Sequence, residues 1–240
     1  MKIFDLHTHV LPGVDDGAAN MEEALQMLRN AAASDVRCLG VTPHCNVPGC
    51  FDNYASESLA EAFVRLQRAA QQIPVQLIPG AEVHVTEQLP ALLQQGRIPT
   101  LNSSRYLLTE FSFRVSRESS LSMLRNILAQ GYVPVVAHPE RLGAVCEDPR
   151  IVEDWLRLGC HIQLTGGSIL GKFGIQSAHC AQFLLQNVLV ACVASDAHGC
   201  RMRTNYLADV YSHLELHYSG QYAHALMWEN PLRICKNETI

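Results

Sequence analysis

His7 and His9 stand two residues apart just after a short apolar run (Ile3, Phe4, Leu6), within LHTHVLPGVDDG at residues 6–17. Side chains alternate faces along a strand, so residues i and i+2 project the same way. The two imidazoles therefore point together from a strand end, placed to share a metal ion. Asp15 and Asp16 follow in a turn flanked by Gly13 and Gly17. Imidazoles with nearby carboxylates suit a divalent ion such as Zn, Mn or Fe.

Ligand-type residues recur after almost every apolar run. His44 follows 39–42, Glu82 follows 75–79 and Glu110 follows 106–109. His138, then Glu140 and Arg141, follow 133–137, and Asp196 and His198 follow 189–194. Only the run at 160–164 ends otherwise, in Thr165-Gly166-Gly167-Ser168. Five histidines and four carboxylates on one rim would repel or take up protons unless cations were present. Two or three divalent ions remove that cost, so the pattern predicts a multinuclear metal site. Asp15 and Asp16 are adjacent, and the sequence permits a swap between them as ligand. His84 could line the pocket. His161, His179, His213, His217 and His224 fall within predicted strands or helices and read as packing, capping or surface residues.

The elements that must position these groups alternate along the chain. Predicted strands cover 2–6, 37–42, 75–79, 106–111, 133–137, 160–164 and 189–194. Predicted helices cover 20–34, 54–72, 117–130, 149–158, 175–187 and 204–217, with a last one near 220–229. In the first helix Met21, Ala24, Leu25 and Leu28 form an i, i+3, i+4, i+7 stripe, with Asn20 as N-cap and Glu23 as its partner. Such alternation predicts a parallel sheet with helices outside it, as a barrel of the TIM kind or an open doubly wound sheet. Barrels collect functional side chains at the C-terminal ends of strands, and the polar residues here follow that rule. No Pro/Gly/Ser-rich linker, repeat or low-complexity tail divides residues 1–240, which read as one domain.

Composition narrows the function. Hydrophobic residues make up 48% and charged residues 17%, and the formal charge is −5, so no basic field for nucleic acid exists. No apolar run approaches the ~18 residues of a membrane span, and the first residues lack the pattern of a signal peptide. A cytoplasmic protein without membrane insertion is expected. Nine cysteines form no CxxC pair. None has an arginine six positions later, so a Cys-x5-Arg phosphate-cradling loop with a thiolate nucleophile is disfavoured.

The ordered set HxH, DDG, TPH, GAE, EFS, AHPER and SDAH resembles the polymerase and histidinol phosphatase (PHP) superfamily. Within it, the context of HTHVLPGVDDG, RIPTLNSSRYLLTEFSF, PVVAHPER and the terminal NPLRI resembles the bacterial capsular and exopolysaccharide tyrosine-protein phosphatases, from residue 3 to about 233. The resemblance implies an α/β fold, a distorted TIM-like (β/α)7 barrel. It also implies two or three divalent ions, commonly Mn2+, with Fe, Zn, Co or Mg as alternatives. Carried over by position, His7, His9 and Asp196 would hold one ion. Glu82 would bridge it to a second, bound also by Glu110 and His138, and Asp16, His44 and His198 would hold a third. Arg141 and Arg203 match phosphate-contacting positions, with Arg201 the alternative if the register of GCRMRTNY shifts. A proton donor, if the reaction needs one, would be His44 or His198.

The implied reaction is phosphomonoester hydrolysis by a water that a metal has made acidic. The implied substrate is phosphotyrosine on a protein, such as the tail of a bacterial tyrosine kinase controlling polysaccharide export. A phenol leaving group, pKa about 10, needs less protonation than an alkyl alcohol. The alternatives are a phosphatase for histidinol phosphate or another small molecule, a noncatalytic metal-stabilised binding module, and a nuclease. Loops 45–54 and 112–118 would rim the site, with Phe51, Tyr54 and Phe113 available to a substrate ring.

Overall fold

A computed structural model describes residues 1–240. Nine strands are all paired in parallel: β1 (Ile3–Thr8), β2 (Val36–Val41), β3 (His44–Cys45), β4 (Gln76–Pro79), β5 (Glu82–His84), β6 (Tyr106–Glu110), β7 (Val133–Ala137), β8 (His161–Thr165) and β9 (Cys192–Ala194). They form a three-stranded sheet, β1-β2-β4, and a six-stranded sheet, β3-β5-β6-β7-β8-β9. The seven predicted strands are present. β2 is continued by β3 past Thr42-Pro43, and β4 by β5 past Gly80-Ala81. Pro43 has no N–H with which to carry the ladder through, and that is where β2 stops.

The sheets meet at the end of β1. The Thr42 amide donates to the Thr8 carbonyl, and the His9 amide donates to Ala197 O at 2.9 Å. Thr8 and Ala197 form a parallel bridge. The result is a TIM-barrel-like parallel α/β fold whose ladder is interrupted, not one continuous hydrogen-bonded ring.

One irregularity in β1 orients the first two histidines. Asp5 pairs with Leu39 but Thr8 pairs with Val41, so β1 carries one residue more than β2 across that interval. Such a bulge resets the alternation of side chains. Phe4 and Leu6 belong to the apolar cluster of the interior with Tyr106, Leu108, Val135 and Ala137. After the bulge His7 reaches across the interior to Gln163 on β8. Helix residues Ile234 and Cys235 pack into the same cluster. Alternate strand residues such as Leu107, Val136, Ile162 and Val193 face the outer helices in the larger core.

The helices largely follow the sequence periodicity. The first, Met21–Ala33, is capped by the Asn20 side chain, which accepts from the Glu23 amide. The helix predicted over 204–217 starts only at Ala208. Before it, Arg203 adopts φ +46°, and the buried Asn205 side chain is committed to Met27 O at 2.9 Å. The last helical stretch runs on to Cys235 through a π turn at Ala225–Glu229. Pro231 lacks the N–H that a regular helix would require there. The short strands β3 and β5 and the short helices Leu89–Gln94, Gly143–Glu147 and Gly166–Ile169 have no periodic signal. No helix is long and apolar enough to cross a membrane.

Gly40 lies opposite the β1 bulge, and its carbonyl accepts from Thr8 Oγ1 at 2.6 Å. A Cβ at residue 40 would collide with the Leu6 backbone. Gly40→Ala should therefore cost about 3 kcal/mol, because backbone rather than a flexible side chain must yield. A lower denaturant midpoint at unchanged m-value is the expected reading.

Candidate metal centre

The strand ends bring all nine sequence-predicted ligands to one mouth. His7 and His9, from the end of β1, are fully buried. Their Nε2 atoms lie 3.2 Å apart. His7 Nδ1 faces Gln163 Oε1 at 2.8 Å, and the Gln163 amide nitrogen donates to Leu164 O. That arrangement makes Gln163 the acceptor and His7 Nδ1 the donor. His9 Nδ1 likewise donates to Asp15 Oδ2 at 2.8 Å. With both Nδ1 atoms donating, the neutral rings direct two Nε2 lone pairs at each other. A cation or an added proton must lie between them.

The other groups close around this pair. Asp196 Oδ1 lies 3.5 Å from His7 Nε2, His9 Nε2 and His198 Nδ1, yet it has no hydrogen-bond partner. Glu82 Oε2 and His44 Nδ1 are 3.0 Å apart and are also unpartnered, as is His138 Nδ1. Buried, unpaired polar atoms are costly. Here several converge on common points, as first-row divalent ions require.

Three groups have ligand atoms within 4.8 Å of one another: His7, His9, Glu82 and Asp196; His9, Asp16, His44 and His198; and His44, Glu82 and Glu110. This division differs in detail from the one implied by the resemblance. His9 also reaches the Asp16 group, and His44 also reaches the Glu82–Glu110 group. His138 lies outside the three sets, with Nε2 2.7 Å from Glu82 Oε1.

The adjacent aspartates separate cleanly. Asp16 Oδ1 lies 3.4 Å from His44 Nε2 and 3.5 Å from His198 Nε2. Asp15 instead accepts from His9 Nδ1 and from the amides of Gly17 and His44. The arginines separate too. Arg141 Nη1 and Arg203 Nη2 donate to Asp196 Oδ2 at 2.8 and 2.6 Å, whereas Arg201 is exposed.

The electrostatics follow from burial and pairing. Burial alone would raise the Glu82 carboxyl, but the imidazoles of His7, His138 and His44 outweigh it and hold Glu82 ionised. Asp196 is held low in the same way, against burial, by His7 and His9. Burial would lower His44, but the adjacent Glu110 and Glu82 carboxylates push it up to about 10. His9 is likewise raised by Asp15, Asp196 and Glu82. Burial and the neighbouring His9 push His198 down to about 3.

The mouth is a hollow of about 390 Å³ that includes Asp16, His44, Glu82, His138, Arg141 and Arg203 in its wall. Phe51 stacks on His44 at 5.8 Å, and Phe113 stands exposed beside Arg141. Tyr54 is not at the mouth: its ring lies under Arg97 and its hydroxyl donates to Asn46. His84 lines the wall, 3.3 Å from Glu110. All nine cysteines are free. Cys45 is buried with its thiol pushed up to about 12, so it offers little thiolate.

Sequence reasoning missed several supports. Gln163 stands on the strand whose end carries no ligand. Asp5 accepts from the amide and hydroxyl of Ser195 and so fixes the turn that presents Asp196. Glu140 accepts from the Thr165 amide. Phe173 covers Arg141 and Arg203 at 4.7 and 6.0 Å. The one available signal was a polar residue inside an otherwise apolar strand, as for Gln163 and Asp5.

The family described as "Capsular polysaccharide synthesis, CpsB/CapC" matches residues 3–236. The chain is 30% identical to the tyrosine-protein phosphatase YwqE of Bacillus subtilis, covering 99% of this chain and 93% of that protein. It is 31% identical to the tyrosine-protein phosphatase CpsB of Streptococcus pneumoniae, covering 99% and 100%. Among solved structures it matches one reported with "YwqE from Bacillus subtilis and CpsB from Streptococcus pneumoniae, unique metal-dependent tyrosine phosphatases", at TM-score 0.91 and 29% identity over 99% and 96% of the two chains. The lactonase Lmo2620 of Listeria monocytogenes matches at TM-score 0.63 and 10% identity over 99% and 95%, a likeness of fold.

Two outcomes test the centre. Divalent-ion binding at pH 7 must displace the protons that His9 and His44 hold in the metal-free chain, so binding should release protons and weaken as pH falls. Calorimetric titration with Mn2+ in buffers of different ionisation enthalpy reads this directly. Gln163→Leu removes the acceptor for His7 Nδ1 and should weaken Mn2+ binding roughly 10- to 100-fold, as measured by competition with a chelator.

Proposed function

We propose that this chain, which belongs to the CpsB/CapC family of capsular polysaccharide synthesis, is a metal-dependent phosphatase that hydrolyses phosphotyrosine on proteins. Its metal ligands in this reading are His7, His9, Asp16, His44, Glu82, Glu110, His138, Asp196 and His198, and its resident ions are two or three Mn2+. Divalent ions, when bound, supply Lewis acidity and lower the pKa of a coordinated water toward neutrality. The likeness to metal-dependent tyrosine phosphatases over nearly the whole chain supports this over a histidinol-phosphate enzyme or a binding module.

One observation carries the reading: the two oxygens of Asp196 face different partners. Oδ1 lies among three imidazole nitrogens at 3.5 Å. Oδ2 holds Arg141 and Arg203. The guanidiniums are thereby tethered beside the metal ligands with other N–H groups left to bind phosphate oxygens, and planar guanidinium forks suit that geometry. They place the phosphorus next to the ligand cluster and offset the charge that builds on its equatorial oxygens. Water is kept from the arginines on one side by the Phe173 ring.

Protonation assigns the remaining roles. His198, pushed down to about 3 by burial and His9, carries no proton near neutrality and serves as a neutral ligand. His44 is the one of the two that holds a proton before metal binds. A tyrosine leaving group, pKa about 10, departs without a dedicated acid, so full commitment of His44 to metal leaves the reaction intact. Phe51 and Phe113 flank the entrance where the tyrosine ring arrives. In this reading the chain acts in the cytoplasm, and its physiological substrate is the phosphorylated tail of a bacterial tyrosine kinase acting in polysaccharide synthesis.

Phosphate release from a phosphotyrosine peptide by the Mn2+-reconstituted chain, beside histidinol phosphate, is the test. Turnover of the peptide is expected, with a fall of roughly 100-fold or more in kcat for His138→Ala and Arg141→Ala. Turnover of histidinol phosphate alone would move the protein to the small-molecule branch, and turnover of neither would favour a binding role.

A further inference from the structure

We propose that the substrate groove continues past Arg203 into a second subsite that selects a negatively charged side chain near the phosphotyrosine. This rests on the phosphotyrosine reading and names the kind of peptide the site prefers. A separate hollow of about 470 Å³ adjoins the mouth, and its wall includes Lys172, Phe173, Arg201, Arg203, Thr204 and Tyr206. Three cations line it and no carboxylate does. That runs against the balance of a chain with 23 acidic and 18 basic residues. A concavity of one sign attracts the opposite charge and excludes like charge.

Arg203 is the wall shared by the two hollows. Its Nη2 is spent on Asp196, but its Nε is buried without a partner. An orphaned guanidinium N–H is costly in a folded chain and is satisfied when an anion arrives. The Phe173 ring forms the floor between Arg141 and Arg203, 4.7 and 6.0 Å from their guanidinium carbons. It is seated there because residue 167 is glycine: a Cβ would lie 2.6 Å from the ring. Lys172 is set by a turn whose glycines, Gly171 and Gly174, adopt φ +74° and +92°, and its amide donates to Gly167 O. Glu23 lines an adjoining hollow instead, where its carboxylate accepts from the Ala19 amide. The metal mouth takes the scissile phosphate, and the Lys172–Arg201 hollow takes a neighbouring carboxylate or second phosphate.

The test uses Mn2+-loaded wild type, Lys172→Ala/Arg201→Ala and Lys172→Glu/Arg201→Glu. Substrates are one phosphotyrosine peptide flanked by alanine, by glutamate, by lysine or by a non-hydrolysable phosphonate analogue of phosphotyrosine, together with p-nitrophenyl phosphate. Wild type should favour the glutamate over the alanine peptide by on the order of 10-fold in kcat/KM at low salt, and salt should erode that preference. The alanine double variant should lose it, the glutamate double variant should turn toward the lysine peptide, and all three should hydrolyse p-nitrophenyl phosphate alike. Equal preference for glutamate and phosphonate identifies a general anion subsite, and a larger one for phosphonate identifies a phosphate subsite. An indifferent wild type, or a preference that survives in both variants, overturns the subsite and leaves the phosphatase reading standing. Hydrolysis of p-nitrophenyl phosphate but of no peptide overturns the protein-phosphatase reading and the subsite with it.

Discussion

Two imidazole nitrogens face each other across 3.2 Å at the end of β1, each made a lone-pair bearer by the acceptor behind its ring. Neutral, they repel. Protonated, they neutralise Glu82 and Asp196 but occupy the space where ligands converge. A divalent ion resolves the conflict without a proton, and the surrounding elements are organised to hold the conflict in place. Gln163 fixes one ring from β8 and Asp15 fixes the other from the β1 turn. Asp15 also receives the His44 amide, so one carboxylate couples two of the ligand-bearing segments.

That organisation is held by backbone in a sparsely populated conformation. His138, Asp196 and Arg203 all have positive φ, at +38°, +53° and +46°. For residues other than glycine this costs on the order of 1 kcal/mol or more each, and it persists only where the surroundings over-determine it. At Asp196 those surroundings are explicit. The Ser195 amide and hydroxyl donate to Asp5, at 2.8 and 2.6 Å, and the Ser195 hydroxyl accepts from Ala197. Burial pushes Asp5 up to about 6 despite both bonds, a cost accepted directly beneath the site. At His138 the left-handed residue turns β7 into Pro139-Glu140-Arg141, so one turn delivers an imidazole to Glu82 and a guanidinium to Asp196.

What the sequence made legible was chemistry at fixed offsets from strong periodicity. Seven apolar runs located the strands, and the ligand-type residues after six of them located the mouth. The bulge was not legible. Strict alternation puts His7 opposite Leu6, and only the extra residue against β2 brings both to the interior. The splitting of two strands at Pro43 and Gly80 was likewise hidden, because strands of two and three residues leave no period to read. Gln163 escaped because its role depends on a partner 156 residues away. Backbone also decides which arginine lies beside Asp196: at φ +46° Arg203 turns back onto it while Arg201 stays exposed. The late start of the helix at Ala208 has the same origin, since 199–206 is spent on placing that arginine and on tying Asn205 to the first helix.

In the proposed function Asp196 joins the two halves of the chemistry. A carboxylate given only to metal ligands would leave the arginines to find their own place, and one given only to arginines would leave His7, His9 and His198 without a common anion. By dividing its oxygens, Asp196 sets the distance between the imidazole cluster and the guanidiniums through a single side chain on a short strand end. That distance decides whether a phosphate can touch both. In the proposed function the same tether lets a chain with more acidic than basic residues take an anionic substrate: the carboxylates are turned inward to imidazoles, while Arg141 and Arg203, beside Phe173, present the positive face. Long-range attraction over the whole molecule is then unnecessary, because the field that matters is local and poorly screened inside the mouth.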